Sequence, residues 1–248
     1  MKDVSLLDLL KSGAHFGHKT SRWNPKMKPY IFTVRNDIHI LDLEKTKKGL
    51  LKAASFATDV ASKGGTILFI ATKRQSRDIV RAAAQACGMP YVNVRWLGGT
   101  FTNYRTIQKT IRKMEKLMEQ QNGENYNQRY TKKERLLIDR EVEKMNKLFA
   151  GIKDLRRMPE AVFIADINHD DIALKESIKM KIKIIGVVDS NSNPDVVDYA
   201  IPANDDATQA IELVSTVIAG AINEGKAASP ATTAPVVAAA TEPATAQA

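Results

Sequence analysis

The sequence predicts an α/β protein: a doubly wound parallel sheet carrying an inserted antiparallel helical hairpin and followed by a disordered C-terminal tail. Three observations lead there. Apolar, β-branched runs alternate with amphipathic helical stretches through most of the chain, the pattern of parallel strands covered by helices on both faces. About sixty residues, where a crossover needs about a dozen, separate two of those runs, and they carry two heptad seams. After Glu224 the chain becomes almost entirely Ala, Pro, Thr and Val.

Taken in order, Ser5 with Asp8 three residues on reads as a capping box, opening a short helix on Leu6, Leu7, Leu9 and Leu10 that stops at Gly13. AHFGHKTSRWNPKMKPY, with Pro25 and Pro29, reads as irregular. YIFTV, Asn36-Asp37 and IHIL read as a hairpin. EKTKKGLLKAASFATDVASK has helical spacing and ends at Gly64-Gly65. TILFIAT is a buried-type strand, RQSRDIVRAAAQACG a helix, YVNVRW a strand, AVFIAD a strand and DDIALKESIKM a helix. IKIIGVVD and DYAIPAN follow as strands and ATQAIELVSTVIAGAINE as the last helix.

In the long interval, Ile107, Ile111, Met114 and Met118 form one seam, and Ile138, Val142, Met145, Phe149 and Ile152 another. The polar QNGENYNQRY between them carries the turn signal Asn122-Gly123. The expectation is a coiled-coil hairpin reaching roughly 25–30 Å at 1.5 Å per residue, with Lys and Arg on its outer positions. The predicted division is residues 1–103 and 153–224 for the α/β domain with its N-terminal extension, 104–152 for the hairpin and 225–248 for the tail.

At 248 residues, 44% apolar and 26% charged, the composition is globular. The net charge is +9 and the pI about 9.5, which favours nucleic acid or an anionic membrane surface as partner. That charge is unevenly spread. Residues 1–36 hold seven Lys or Arg against two acids, 37–101 ten against five, 102–158 fifteen against eight, and 159–248 five against thirteen. A basic front half facing a polyanion is the expectation. MKDVSLLDLLKSGAHF does not read as a signal peptide, and no stretch reaches the roughly 20 apolar residues of a membrane span. Cys87 stands alone, so no disulfide framework is expected and the reducing cytoplasm is the expected compartment.

Nucleotide chemistry finds little support. KRQSR after the first parallel strand lacks glycines, no G-x-x-x-x-G-K-[ST] exists, and Gly98-Gly99 reads as a tight turn. Asp166 and Asp189 end strands where doubly wound enzymes place ligands. They could hold Mg²⁺ or attack a phosphoryl group, but no Lys or Ser motif completes a site, and capping explains such residues more simply. A phosphate-handling enzyme is thus the rival reading, and a protein-only adaptor built on the hairpin a second. His15 and His18 are candidate metal ligands together with Asp189 or Asp205, although Gly17 interrupts the helix their spacing would need. No other cofactor is expected.

Basic and aromatic residues interleave in HKTSRWNPKMKPY and VRWLGGTFTNYR, the mixture that grips RNA phosphates and stacks on bases. The expected RNA-binding set is His15, His18, Lys19, Arg22, Trp23, Asn24, Lys26, Lys28, Arg74, Arg95, Trp96, Thr100, Asn103 and Arg105. Trp23 and Trp96 fit a role as core anchors equally well.

LLKSGAHFGHKTSRWNPKMKPYIF, RWLGGTFTNYRTI and VVDSNSNPDVVDYAIPANDDA closely resemble three motifs of the S-two family of small-subunit ribosomal proteins, bacterial or organellar type. They stand in the family's order over about residues 1 to 224. The resemblance implies a flavodoxin-like domain with an inserted helical hairpin and a structural, non-enzymatic role in the small ribosomal subunit of the cytoplasm. It implies contact with small-subunit ribosomal RNA, late incorporation, and help in docking the large messenger-binding protein S-one beside other ribosomal neighbours. It implies neither a membrane partner nor an independent homo-oligomer. His15, Gly17, His18, Arg22, Trp23, Asn24, Pro25, Trp96, Leu97, Gly98, Gly99, Thr100, Thr102 and Asn103 match family-typical positions. Ser190, Ser192 and Ala203 depart from the pattern expected of the acidic loop.

Overall fold

A strand that is apolar at every position must be covered on both faces, and β4 (Ile67–Ile70) and β6 (Ala161–Ile164) are buried throughout. With β5 (Tyr91–Val92), β7 (Lys183–Val188) and β8 (Tyr199–Pro202) they form a five-stranded sheet in the order β5-β4-β6-β7-β8. Every pairing is parallel. This is the flavodoxin-like doubly wound order, with its switch point between β4 and β6. The computed structural model describes residues 4–123 and 126–228. Among them, no helix is long and apolar enough to cross a membrane.

The pleat divides the core in two. Phe69, Phe163, Ile185 and Val187 face α2 (Leu43–Ser62), α3 (Arg77–Ala86) and α8 (Thr208–Ala228), and the Phe69 and Phe163 rings lie 5.2 Å apart. Leu68, Ile70, Val162, Ile164 and Ile184 face the other way. There they meet α7 (Asp171–Lys179), Trp96, Phe101 and the inner ends of α4 (Tyr104–Gln121) and α6 (Lys132–Phe149).

The predicted seam residues Ile111, Met114, Val142, Met145, Phe149 and Ile152 are all buried, and Ile107 and Met118 pack against the same cluster. Lys113 pairs with Glu141 across the two helices at 2.6 Å, Gln121 donates to Asp139 at 2.9 Å, and the Tyr104 hydroxyl donates to the Leu155 carbonyl at 2.7 Å. Thr131 and Glu134 form a reciprocal capping box that starts α6. The short α5 (Tyr126–Arg129) precedes it.

Ahead of the domain, Ser5 and Asp8 cap α1 (Leu6–Lys11) reciprocally, as the spacing predicts. The segment expected to be irregular is more ordered than that. Phe16–Lys19 forms β1, which pairs antiparallel with β3 (Ile38–Leu41) beside β2 (Ile31–Arg35), and Pro25–Tyr30 is a 3-10 helix. A four-residue edge strand containing Gly17 and His18 carries no alternation for a sequence pattern to detect. The Asn36-Asp37 turn has φ of 50° and 59°, the left-handed pair that a two-residue hairpin requires.

The predicted tail boundary before Gly225 is corrected, because α8 continues to Ala228. Gly225 is buried where α8 crosses α2. A Cβ there would run into the Thr58 carbonyl oxygen and stand 2.9 Å from the Ala61 Cβ, while the Thr58 hydroxyl donates to the Ala221 carbonyl at 3.0 Å. A helical glycine chosen for close packing looks like a terminator in sequence. Gly225→Val is expected to cost about 2–3 kcal/mol by overpacking. Gly220→Ala, where a Cβ meets open space, should gain about 1 kcal/mol of helix propensity, and urea melts of the two variants check the contrast. The remainder of the predicted tail, 229–248, lies outside the described residues.

Candidate functional site

The carboxyl ends of β4, β6, β7 and β8 bring together a charged cluster. Asp166, Asp189 and Asp205 are 5%, 1% and 2% exposed. Asp166 caps its own turn, accepting from the backbone N–H groups of Asn168 and His169 at 3.0 and 2.8 Å, the role weighed for it from sequence. Asp189 accepts from the backbone N–H of Ser190. Capping is only part of the arrangement, however. The Lys73 ammonium enters from the end of β4 and lies 2.9 Å from Asp166, 2.9 Å from Asp205 and 2.7 Å from the exposed Asp206. No Lys motif completes this site in the sequence, yet a distant lysine meets the aspartates in the structure. Lys73 is 93 residues from Asp166 and 132 from Asp205, so no local motif reveals it.

One ammonium cannot balance this many carboxylates. Burial, then the charges of Asp166 and Asp189, push the Asp205 carboxyl up to about 7 despite Lys73. Lys73 loses from burial but gains more from Asp206, Asp166 and Asp205, so it stays charged well above its ordinary range. His18 stands over the cluster with Nδ1 3.0 Å from Asp189 Oδ2 and Nε2 3.7 Å from Asp206 Oδ2. The contact with Asp189 raises its pKa, burial opposing. His18, Asp189 and Asp205 offer ligand atoms within 4.8 Å of one another, a nitrogen-and-oxygen set able to hold a divalent ion. His15, the other predicted ligand, does not belong to that group; its ring packs on Phe16 at 4.0 Å and burial lowers its pKa. Negative charge is in excess here, at the place where a doubly wound enzyme would bind a phosphate.

The N-terminal segment is strapped across this edge. The His18 N–H donates to Ser190 Oγ at 2.7 Å, the Asn24 N–H to the Ser190 carbonyl at 2.8 Å, and Lys26 pairs with Asp195 at 2.7 Å. Gly17 permits the approach, since a Cβ there would lie 2.8 Å from Ser190 Oγ and 3.1 Å from the His39 carbonyl. Two of the motifs noted in the sequence thus meet in space. Ser190, where the family pattern differs, makes the contact through its own hydroxyl.

The third motif folds around a carboxylate of this chain. Gly99, at φ 93°, directs its N–H to Glu176 at 2.6 Å, and the N–H groups of Phe101 and Thr102 reach the other oxygen at 2.9 and 3.1 Å. The Trp96 indole adds a donor at 3.3 Å. Burial opposes the charge on Glu176, but the N–H groups of Gly99, Thr102 and Phe101 outweigh it and hold the carboxyl below its ordinary value. Gly98-Gly99 is a turn, as expected, and its nest of donors is filled from within.

Of the predicted RNA contacts, Lys19, Arg22, Lys26, Lys28, Arg74, Arg95, Asn103 and Arg105 are exposed. Trp23 is 37% exposed, with its ring 5.2 Å from that of His39. Asn24 is half-buried, its carboxamide oxygen accepting from the Lys26 N–H. Trp96 and Thr100 are corrected: at 6% and 4% exposure they are core, Trp96 bound to Glu176 and Thr100 to the Leu97 carbonyl at 2.6 Å. Trp96 packs edge-on to Phe101. The basic-aromatic pattern does not separate the two tryptophans, because each stands beside an arginine.

Because all five strands run the same way, the loops holding Arg74 and Arg95 open on the same edge as the strapped segment. A family model described as "Ribosomal protein S2" matches residues 9–225.

Proposed function

From the premise that this chain belongs to the ribosomal protein S2 family, we propose that the strapped N-terminal segment is its principal contact with small-subunit ribosomal RNA. The family is a structural, non-enzymatic one, and the chain is a constituent of the small ribosomal subunit. One observation carries the RNA assignment. Lys19, Arg22 and Lys28 are exposed and make no ion pair among the described residues, and Trp23, 37% exposed, follows Arg22 in the chain. Cations without carboxylate partners beside an open ring suit phosphates and an unstacked base. Ser190, next to the acidic cluster, fixes the segment's backbone without neutralising these side chains.

In this reading α4 and α6 act as an antiparallel coiled-coil arm at 104–152, its outer cations extending the contact, with the α/β domain at 1–103 and 153–224 as its base. Arg74, Arg95, Asn103 and Arg105 support the same side. Leu6, Leu7, Leu10 and Phe16, exposed together at the N-terminus, supply the apolar surface a protein neighbour needs. We place there the docking of the large messenger-binding protein S-one, which late incorporation of this chain would permit.

Arg22→Ala/Lys26→Ala/Lys28→Ala should weaken association with small subunits about tenfold or more at raised salt, since each phosphate contact contributes a counterion-release step. The fold should persist, because all three side chains are exposed and the His18 and Asn24 bonds to Ser190 hold the strap when the Lys26–Asp195 pair is lost. Co-sedimentation across a salt series checks this; a variant that stays bound like the wild type refutes the assignment.

A further inference from the structure

The opposite edge of the sheet, where the parallel strands begin, holds a cleft of about 1040 Å³. Its walls include Gly64 and Thr66 ahead of β4, Tyr91 at the start of β5, and the segment that enters β6. Lys153, Arg156, Arg157 and Lys226 line it, against the single acid Asp154. A second cavity of about 260 Å³ shares Lys153, Leu155 and Arg156 with the first and runs on to Arg112 and Glu115 of α4. The two form a track from the end of α8 to the root of α4.

The cations on this track differ in how they are employed. Arg157 donates to the Gly64 carbonyl at 3.0 Å and lies 3.7 Å from Glu160, and Lys226 donates to the Cys87 carbonyl at 2.6 Å. These two build the wall. Lys153 and Arg156, on the ridge between the cavities, are exposed and have no carboxylate partner among the described residues. A pocket for a small molecule closes around its ligand and buries most of it, whereas this surface is long, half-open and bordered by cations. That is the form of a groove that follows a nucleic-acid backbone.

We propose that this edge is a second RNA-binding groove, taking a single-stranded RNA segment with its phosphates on Lys153, Arg156 and Arg112. The inference rests on the RNA-binding role proposed above but uses a different face. A chain with such grooves at both ends of one sheet bridges two RNA segments instead of lying against one.

The test uses the full purified chain and a fluorescein-labelled uridine 12-mer, read by anisotropy over a salt series. Lys153→Ala/Arg156→Ala should bind about tenfold more weakly near 0.1 M salt, and the slope of log K against log salt should flatten by about 1.4, from roughly 0.7 per phosphate on a single strand. Lys153→Arg/Arg156→Lys should keep wild-type binding. Wild-type binding and slope in the alanine pair would overturn the groove, and would leave the N-terminal assignment standing if the Arg22, Lys26 and Lys28 triple variant lost affinity. Loss in the alanine pair with none in the triple variant would sink the N-terminal assignment and keep the groove. Equal binding of a polyglutamate of the same length would overturn the assignment to RNA in favour of an acidic protein.

Discussion

Glu176→Ala should lower stability by about 3–5 kcal/mol at pH 7, among the largest losses available to a single substitution in this chain. The carboxylate accepts three backbone N–H groups and the Trp96 indole, and bonds to a charged acceptor contribute about 1.5–3 kcal/mol each. Without it, the donors of Gly99, Phe101 and Thr102 converge on nothing. Phe101, 1% exposed, sits inside the turn they define, so the loss spreads into the core beneath α4. Glu176→Gln should be nearly as damaging, because one oxygen becomes an amide donor facing other donors. The pH dependence gives a second check. A carboxyl whose native pKa lies below its unfolded value contributes stability that is full above the unfolded value, about 4.3, and is lost as pH falls through the lowered one. The gap between wild type and Glu176→Gln in denaturant melts should therefore close as the pH drops below about 4. Equal melts at pH 7 would show that the nest does not hold the turn.

What was legible in the sequence follows the range over which each signal acts. The strands TILFIAT and AVFIAD and the α8 pattern are local, and they gave a doubly wound sheet whose order the structure then supplied. Ile111, Met114, Val142, Met145, Phe149 and Ile152 are buried as their spacing suggests, whereas Met118 and Ile138 are only half-buried. Contacts made by partners far apart were not legible. Glu176 lies 77 residues from Gly99, and in its own helix it looks like any solvent-facing acid. Lys73 looked like one more cation in KRQSR, yet only its placement at the switch point lets it meet three aspartates. Trp23 and Trp96 share a sequence signature and differ in burial, since burial depends on what packs above them and not on their neighbours in the chain. The composition that marks the tail begins at Gly225, but composition does not show where a helix stops, and α8 runs on to Ala228 because Gly225 packs against α2.

Lys73→Met should destabilise the protein by about 3–5 kcal/mol at pH 8, the cost of removing one partner from a buried charged group. Asp166 and Asp205 would then face each other with no cation between them. The cost should shrink as the pH falls, because a carboxyl left without its ammonium takes up a proton instead. In the wild type, Asp205 already titrates near 7, above its unfolded value of about 3.9. A raised acid opposes folding, so this contribution makes stability decline as pH rises from about 4 to about 7, after which it levels off. His18 acts in the same direction: its raised pKa gives stability that is complete below about 6.5 and is lost as pH rises through the higher native value. Asp205→Asn separates the two, since it should remove the aspartate's part of the slope and leave most of that of His18, which comes first from its contact with Asp189. Urea melts from pH 4 to 8, with a chelator present so that no divalent ion substitutes for the ammonium, give the measurement. In Lys73→Met the slope should steepen and extend above pH 7, and adding Asp205→Asn should restore part of the lost stability at pH 8. If Lys73→Met matched the wild type at pH 8 in both stability and slope, the cluster would not be held by its lysine, and the strap of Gly17, His18 and Asn24 across Ser190 would have to account for the order of this edge by itself.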